Sequence, residues 1–301
     1  MTPADEAARH EARRSGSVSE VITPNVSGPG NTSKACEQRG SHDMDVAVIS
    51  GTTFSHKAVT YYAVGGVALI EGDIALGSVS EVRERTEQAR IAMALGDSRT
   101  LGVGLPSVRF RWPNCLIPYT IDAELPEPER VREAIEHWST HTVMRFLERS
   151  EENAARYPNW VEFSDRLGCW SYVGMRGGMQ PVSLGEECGI GSVIHELGHA
   201  VGLWHEQSRE DRDLYVRINW DNIQAGMKAQ FNQRITDGDD YGPYDYGSIM
   251  HYPRWAFSNT GEDTIVPIDP SVEIGQRDGL SPGDIATVAQ MYPSCTPGVT
   301  G

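Results

Sequence analysis

The sequence predicts an α+β fold, in which short strands dominate the first half of a globular region and helices pack beside them. Three observations predict it. Four short segments rich in β-forming residues, Leu116–Ile121, Val143–Leu147, Trp160–Phe163 and Trp170–Val173, read as strands. Between the first two, "EPERVREAIEHWST" sets Val131, Ile135 and Trp138 at helical intervals, the apolar stripe of a helix lying on a sheet. Near the C-terminus, Ser281, Pro282 and Asp284 supply the N-cap, N1 proline and acidic N3 of a capping box. Ile285, Val288, Ala289 and Tyr292 then give that last helix its apolar face.

The rest of the chain falls into place around this region. Residues 1–43 are rich in Ser, Gly, Asn, Pro and charge with no periodicity, and read as a disordered tail. Residues 44–102 are more apolar, with "AVGGVALIEGDIALG" followed by a helix in "SVSEVRERTEQARIAMAL". The globular region begins near "FRWPNCLIPYTID" and runs to Cys295. At 301 residues the chain is long enough for a substantial core.

Composition excludes several function classes. A formal net charge of −16 offers no electrostatic footprint for nucleic acid or an anionic membrane surface, so neither is an expected partner. No apolar run approaches the roughly 18 residues that span a bilayer. The polar N-terminus lacks the basic-then-apolar pattern of a secretory leader. The cysteines at 36, 115, 169, 188 and 295 argue the other way, because disulfides imply export, and their odd number leaves at least one unpaired. A misassigned start and a trimmed chain both reconcile the two signals, and the choice stays open.

The chemistry concentrates in "VIHELGHAVGLWHEQSREDRD", Val193 to Asp213. On a helix, His195 and His199 lie one turn apart on one face, about 5–6 Å from each other, which suits two nitrogens on one zinc ion. Glu196 is offset by roughly 100° and stands beside the metal without ligating it, where a general base belongs. Gly202 ends the helix, since glycine takes the left-handed conformation at C′ without a Cβ penalty. The turn brings back His205 as a third ligand. Three imidazoles leave one coordination position open, the mark of a catalytic rather than a structural zinc. The competing reading, hydrogen-bonded histidines on a helix surface, does not account for the glutamate, glycine and third histidine together.

About 45 residues on, Ser248–Tyr252 reads "SIMHY". With "GCWSYVG" at Gly168–Gly174 and "IGQRDGLSPGDI" at Ile274–Ile285, the chain resembles the astacin family of metzincin zinc endopeptidases over residues 103–295. The resemblance implies a metzincin fold: an N-terminal subdomain with a twisted, mostly parallel sheet, an antiparallel edge strand and two long helices, then a largely irregular C-terminal subdomain with a terminal helix. By analogy with the family, "QPVSL" at Gln180–Leu184 is the expected edge strand, against which an extended substrate pairs.

The same resemblance assigns roles residue by residue. His195, His199 and His205 hold one Zn2+ per chain, Glu196 moves the proton, and Met250 packs beneath the metal. Tyr252 resembles the tyrosine that swings from the metal to the developing oxyanion, for which a phenol is a fitting donor. Glu206 resembles the glutamate that receives the new N-terminus after processing near Gly102 or Val103, although charge runs of this kind are usually solvated faces. Arg277 resembles the basic residue that favours acidic side chains after the scissile bond, and a structural arginine in a salt bridge is an equal alternative. Residues 44–102 become an inhibitory pro-segment in which "LIEGDI" resembles the family's Phe-x-Gly-Asp motif, with Ile70 in place of the aromatic and Asp73 at the water's position on zinc. A Gly-Asp turn between strands is the alternative, and Cys36 is a competing thiolate ligand.

Cys169 and Cys188 match one family disulfide. In the other, Val143 stands where the first cysteine belongs, so Cys115 is the expected substitute partner of Cys295. The reading is therefore a secreted, monomeric zymogen, a zinc endopeptidase acting on proteins or peptides and released by an activating protease. A zinc-dependent peptide-binding protein and a non-peptidase metallohydrolase are the other two hypotheses. The intact Glu196 argues against the first of these, and no second metal cluster is legible for the other.

Overall fold

The computed structural model describes residues 44–49, 56–95, 110–234 and 240–295. The expected disordered tail, Cys36 and the expected processing point at Gly102 and Val103 lie outside the described residues.

Residues 44–78 hold a four-stranded antiparallel sheet with neighbours in chain order: β1 (Met44–Ile49), β2 (Lys57–Val64), β3 (Val67–Ile70) and β4 (Ile74–Ser78). The sequence reading placed strands here only as an alternative, on either side of the Gly-Asp turn. A signal was present, because Val64 pairs with Val67 across Gly65 and Gly66, whose φ values of 55° and 82° are the left-handed pair of a tight hairpin turn. At the next tip Ile70 pairs with Ile74, and Glu71, Gly72 and Asp73 make the turn. The predicted helix follows as α1 (Val79–Ala94), capped by Ser78 with Glu81 in a capping box. Its Val82 packs with Ala47, Ile49, Tyr61, Ala68 and Leu76 of the sheet.

The second sheet contains β5 (Leu116–Ile121), β6 (Arg145–Glu148), β7 (Trp160–Ser164), β8 (Cys169–Trp170) and β9 (Met179–Leu184), in the order β6-β5-β7-β9-β8. All neighbours run parallel except β8, which is antiparallel to β9 and forms the outer edge. This is the mostly parallel sheet with an antiparallel edge strand, but the edge is not "QPVSL". That segment is β9, parallel to β7, with β8 covering Ser183 and Leu184 on its other side. Its buried run Val182, Ser183 and Leu184 is what an inner strand requires. The strand expected over Trp170–Val173 is correspondingly short, because Ser171 leaves β9 and bridges to Ile74 of β4. Val143 and Met144 are buried ahead of β6 rather than within it.

The two helices of this subdomain are α2 (Glu129–His141) and α3 (Ile190–Val201). They are tied where the buried Trp138 donates from Nε1 to the Ile194 carbonyl at 3.0 Å. Trp112 reaches the Ala200 carbonyl at 2.7 Å and Tyr292 the Val201 carbonyl at 2.7 Å, so both ends of the globular region grip the last turn of α3. The apolar core around these contacts includes Ile117, Val161, Phe163, Val193, Leu197 and Met250. Beyond α3 the chain is mostly turns, with one antiparallel pair, β10 (Val216–Ile218) and β11 (Ile265–Pro267), and the terminal helix α4 (Pro282–Met291). Ser281 and Asp284 form the capping box of α4 as the sequence predicts.

Disulfides join Cys169 to Cys188 and Cys115 to Cys295, with Cα separations of 5.9 and 6.4 Å. The first fastens β8 to the loop leading into α3, and the second fastens the residue just before β5 to the turn that follows α4. Among the described residues, no helix is long and apolar enough to cross a membrane.

Candidate active site

Helix α3 is buried along one whole side and carries His195, Glu196 and His199 with exposures of 2%, 1% and 0%. It stops at Gly202, where φ is 124°, and the N–H of Gly202 and of Leu203 return to the last-turn carbonyls of Gly198 and His199. The reversal brings His205 back onto the His195–His199 face. Ring centroids of the three imidazoles lie 4.7–5.3 Å apart.

Hydrogen bonds fix how each ring is turned. His195 Nδ1 lies 2.8 Å from the Ile249 carbonyl and His199 Nδ1 lies 2.9 Å from the Leu203 carbonyl. A carbonyl only accepts, so each Nδ1 carries the proton and each Nε2 presents a lone pair. Burial, with the Arg277 charge behind it, holds His195 down to about 3, in the neutral form a ligand needs.

The fourth member of the cluster comes from the β3–β4 turn. Asp73 Oδ2 lies 3.2 Å from His195 Nε2, and Asp73 Oδ1 lies 3.4 Å from His199 Nε2 and 3.1 Å from His205 Nε2. All four ligand atoms fall within 4.8 Å of one another. His199 Nε2, His205 Nε2 and Asp73 Oδ1 are buried with no hydrogen-bond partner among the described residues. A tetrahedral ion with bonds of about 2.1 Å spaces its ligand atoms about 3.4 Å apart. The donor set, its spacing and its unshared polar atoms therefore fit a zinc ion. Burial works against charge on His205, but the carboxylates of Asp73 and Glu71 outweigh it and raise His205 to about 9.

The turn is thus both a Gly-Asp turn between strands and an insertion into the histidine cluster. Its backbone is anchored to the β8 edge, where Ser171 N–H donates to the Asp73 carbonyl at 2.9 Å and Ala75 N–H to the Ser171 carbonyl at 2.8 Å. Tyr62 OH donates to the Gly72 carbonyl at 2.5 Å. Gly72 has φ 84° and runs so close to the opposite wall that a Cβ would stand 3.1 Å from Phe257. Glu71 was not singled out from sequence, and its side chain is wholly buried against Arg234, Ser208 and His205. No periodicity marks such a residue.

Met250 packs its Sδ against α3 at Gly198, where an added Cβ would meet the sulfur at 2.5 Å. Gly191, two turns earlier, makes the same allowance for the Arg277 backbone. Arg277 donates from Nη1 to the Ile249, His251 and Gln276 carbonyls at 3.1, 3.1 and 2.9 Å, bracing the turn that orients His195. Tyr252 is fully buried, with its ring 4.6 Å from that of His205 and its OH donating to the Glu71 carbonyl. Glu206 accepts from the Asp245 N–H at 2.7 Å and lines a cavity with Tyr241, Tyr244 and Asp284. Burial raises its carboxyl to about 8. Arg111, near the start of the globular region, reaches the Tyr241 hydroxyl of that cavity at 3.1 Å.

The sequence model described as Astacin (Peptidase family M12A) matches residues 106–293, more than half of the chain. The chain belongs to the astacin family. This astacin chain is 40% identical over 233 residues to zinc metalloproteinase nas-13 of Caenorhabditis elegans, covering 74% of this chain and 49% of that protein. It is 42% identical over 200 residues to bone morphogenetic protein 1 of Xenopus laevis, covering 61% of this chain and 27% of the relative. It therefore spans about half the length of the first of these relatives, or less. Among solved structures it is similar to high choriolytic enzyme 1, a hatching enzyme zinc-protease from Oryzias latipes, with a TM-score of 0.55 and 38% identity. That match covers 62% of this astacin chain and 94% of the fish enzyme.

Proposed function

We propose that the protein is a zinc-dependent endopeptidase made as a latent zymogen. The observation that carries this reading is the buried convergence of His195, His199 and His205 on one point, with Glu196 on the same helix and Asp73 as a fourth donor. The three histidines and, in the latent form, Asp73 would hold the ion. Bound zinc would make a water acidic near neutral pH and polarise a peptide carbonyl.

The chain's own residues supply the remaining steps. Glu196 accepts the proton of the attacking water and returns it to the leaving amine. Tyr252 donates its hydroxyl to the developing oxyanion. Its present hydrogen bond to the Glu71 carbonyl supports this role, since a backbone carbonyl is also what a substrate would offer it. Met250 supports the site by packing on Gly198.

Residues 44–102 act as the inhibitory pro-segment and 103–301 as the catalytic domain, with an activating protease cutting between them. Asp73 holds latency by occupying the position that the attacking water needs. Glu206, with its cavity and a carboxyl held in a poorly solvated place, receives the new N-terminus. Arg277 braces the turn below the metal, and its three carbonyl contacts favour this over direct contact with substrate side chains. The two disulfides support export to an oxidising compartment.

The test is hydrolysis of an unfolded protein such as casein by the processed chain. Cleavage should stop on adding a zinc chelator, return with zinc, and vanish in Glu196→Gln at unchanged zinc content. A zinc-loaded, folded Glu196→Gln variant that cleaves as fast as the parent would sink the assignment.

A further inference from the structure

The backbone of Glu71 is held at both ends by buried side chains of the catalytic part of the chain. Its N–H donates to Gln230 Oε1 at 2.5 Å, and its carbonyl accepts from Tyr252 OH. Gln230 is only 1% exposed, and its Nε2 is buried with no hydrogen-bond partner among the described residues. An N–H only donates, so the carboxamide atom that faces Glu71 is the oxygen and the unpaired atom is the donor nitrogen. A buried donor without a partner is costly and calls for an explanation.

The placement of Gln230 does not depend on Glu71. It sits in the 3-10 turn Met227–Phe231, whose first N–H donates to the Gln224 carbonyl at 3.0 Å and whose Phe231 carbonyl accepts from the buried Arg212 Nη1. The Phe231 ring meets that of Tyr252 edge-on, with centroids 5.9 Å apart. Gln230 is therefore carried on the segment that packs against the proposed oxyanion donor.

Glu71 uses half of this carboxamide because of its shape. With φ 48° it lies in the left-handed region, and its carbonyl turns away from its N–H to reach Tyr252. In an extended residue the N–H and the carbonyl lie on the same side of the chain, the pair that a neighbouring strand meets with one acceptor and one donor. A carboxamide presents those same two groups.

We propose that in the processed enzyme Gln230 binds the main chain of the substrate, its Oε1 accepting the N–H and its Nε2 donating to the carbonyl of one extended residue. The inference rests on the peptidase reading above. In the latent form Glu71 occupies the acceptor, and its departure with residues 44–102 frees it. A residue without an N–H is excluded at this position, so proline and N-methylated residues are poor there whatever their side chains.

The processed enzyme is given peptide pairs in which one non-scissile amide at a time is replaced by an ester, which removes a single N–H, and the two are compared by kcat/KM. One position should favour the amide by about tenfold or more. In Gln230→Met, whose thioether is a weak acceptor, the ratio at that position should fall towards one, with Gln230→Leu as a second variant of different shape. A merely structural Gln230 lowers both members of every pair alike. A parent enzyme with no amide-favouring position overturns the inference without recourse to variants, and so does a ratio that survives at every position in either variant. Failure of the processed enzyme to cleave any of the amide peptides would instead overturn the peptidase reading.

Discussion

Asp73 Oδ1 lies 3.1 Å from His205 Nε2, although the two residues are far apart in the chain and belong to different sheets and loops. The contact makes a buried hairpin tip the fourth corner of a group that could hold a metal ion. Replacing Asp73 by Asn in the full chain should therefore weaken zinc retention. Loss of an outer partner of a ligand alone costs about 10–100-fold in metal affinity, so loss of a ligand should cost at least that. Competition against a chromogenic chelator measures it, and an unchanged zinc affinity would remove Asp73 from the metal's shell.

Gly198 faces Met250 so closely that a Cβ would stand 2.5 Å from the sulfur. Gly198→Ala should destabilise the protein by about 1–3 kcal/mol through overpacking, despite alanine's better helix propensity. Urea denaturation reads this directly. A stability gain of the size expected from propensity alone would mean that Met250 does not pack there.

The two disulfides close loops of very different length, with sequence separations of 19 for Cys169–Cys188 and 180 for Cys115–Cys295. In the chain-entropy account these are worth about 3 and about 5 kcal/mol. Paired substitution of Cys115 and Cys295 by Ala should therefore lower the denaturation midpoint more than paired substitution of Cys169 and Cys188. The reverse order would show that strain or residual structure, rather than loop length, sets their contribution.

His251 gives a pH dependence with a definite sign. Its Nδ1 faces the Tyr252 carbonyl at 2.8 Å and its Nε2 lies 2.7 Å from Tyr244 OH, a pattern that suits one neutral tautomer. Burial, against a weaker upward pull from that carbonyl, lowers it from 6.5 to about 4. The unfolded chain then binds this proton more readily than the folded one. Its stabilising contribution is complete above pH 6.5 and is lost as pH falls through about 4. The difference in unfolding free energy between the parent and His251→Gln should shrink on the order of 2 kcal/mol over this window. A difference independent of pH would contradict the neutral assignment.

Legibility from sequence follows the range of the interactions. His195, Glu196, His199, Gly202 and His205 are readable because one helix turn and one reversal decide their geometry. The capping box of Ser281 and Asp284 is equally local. The order of β8 and β9 is not, since the partner of "QPVSL" on its outer side depends on long-range pairing and both segments carry β-forming residues. Glu71 is the clearest omission: a glutamate in a hairpin turn looks solvated until the turn is docked against Ser208 and Arg234. Gly191 and Gly198 likewise read as weak points of a helix, and only the close approach of Arg277 and Met250 explains them.

The most direct test of the central claim is the rate of chelator-sensitive casein cleavage by three forms of the full-length product: uncut, cut between residues 95 and 110, and uncut Asp73→Asn, with Glu196→Gln as the baseline. The account predicts negligible cleavage by the uncut parent, cleavage after cutting, and measurable activity in uncut Asp73→Asn. Equal cleavage by the cut and uncut parent would contradict latency, and cleavage that persists in Glu196→Gln would contradict the site itself.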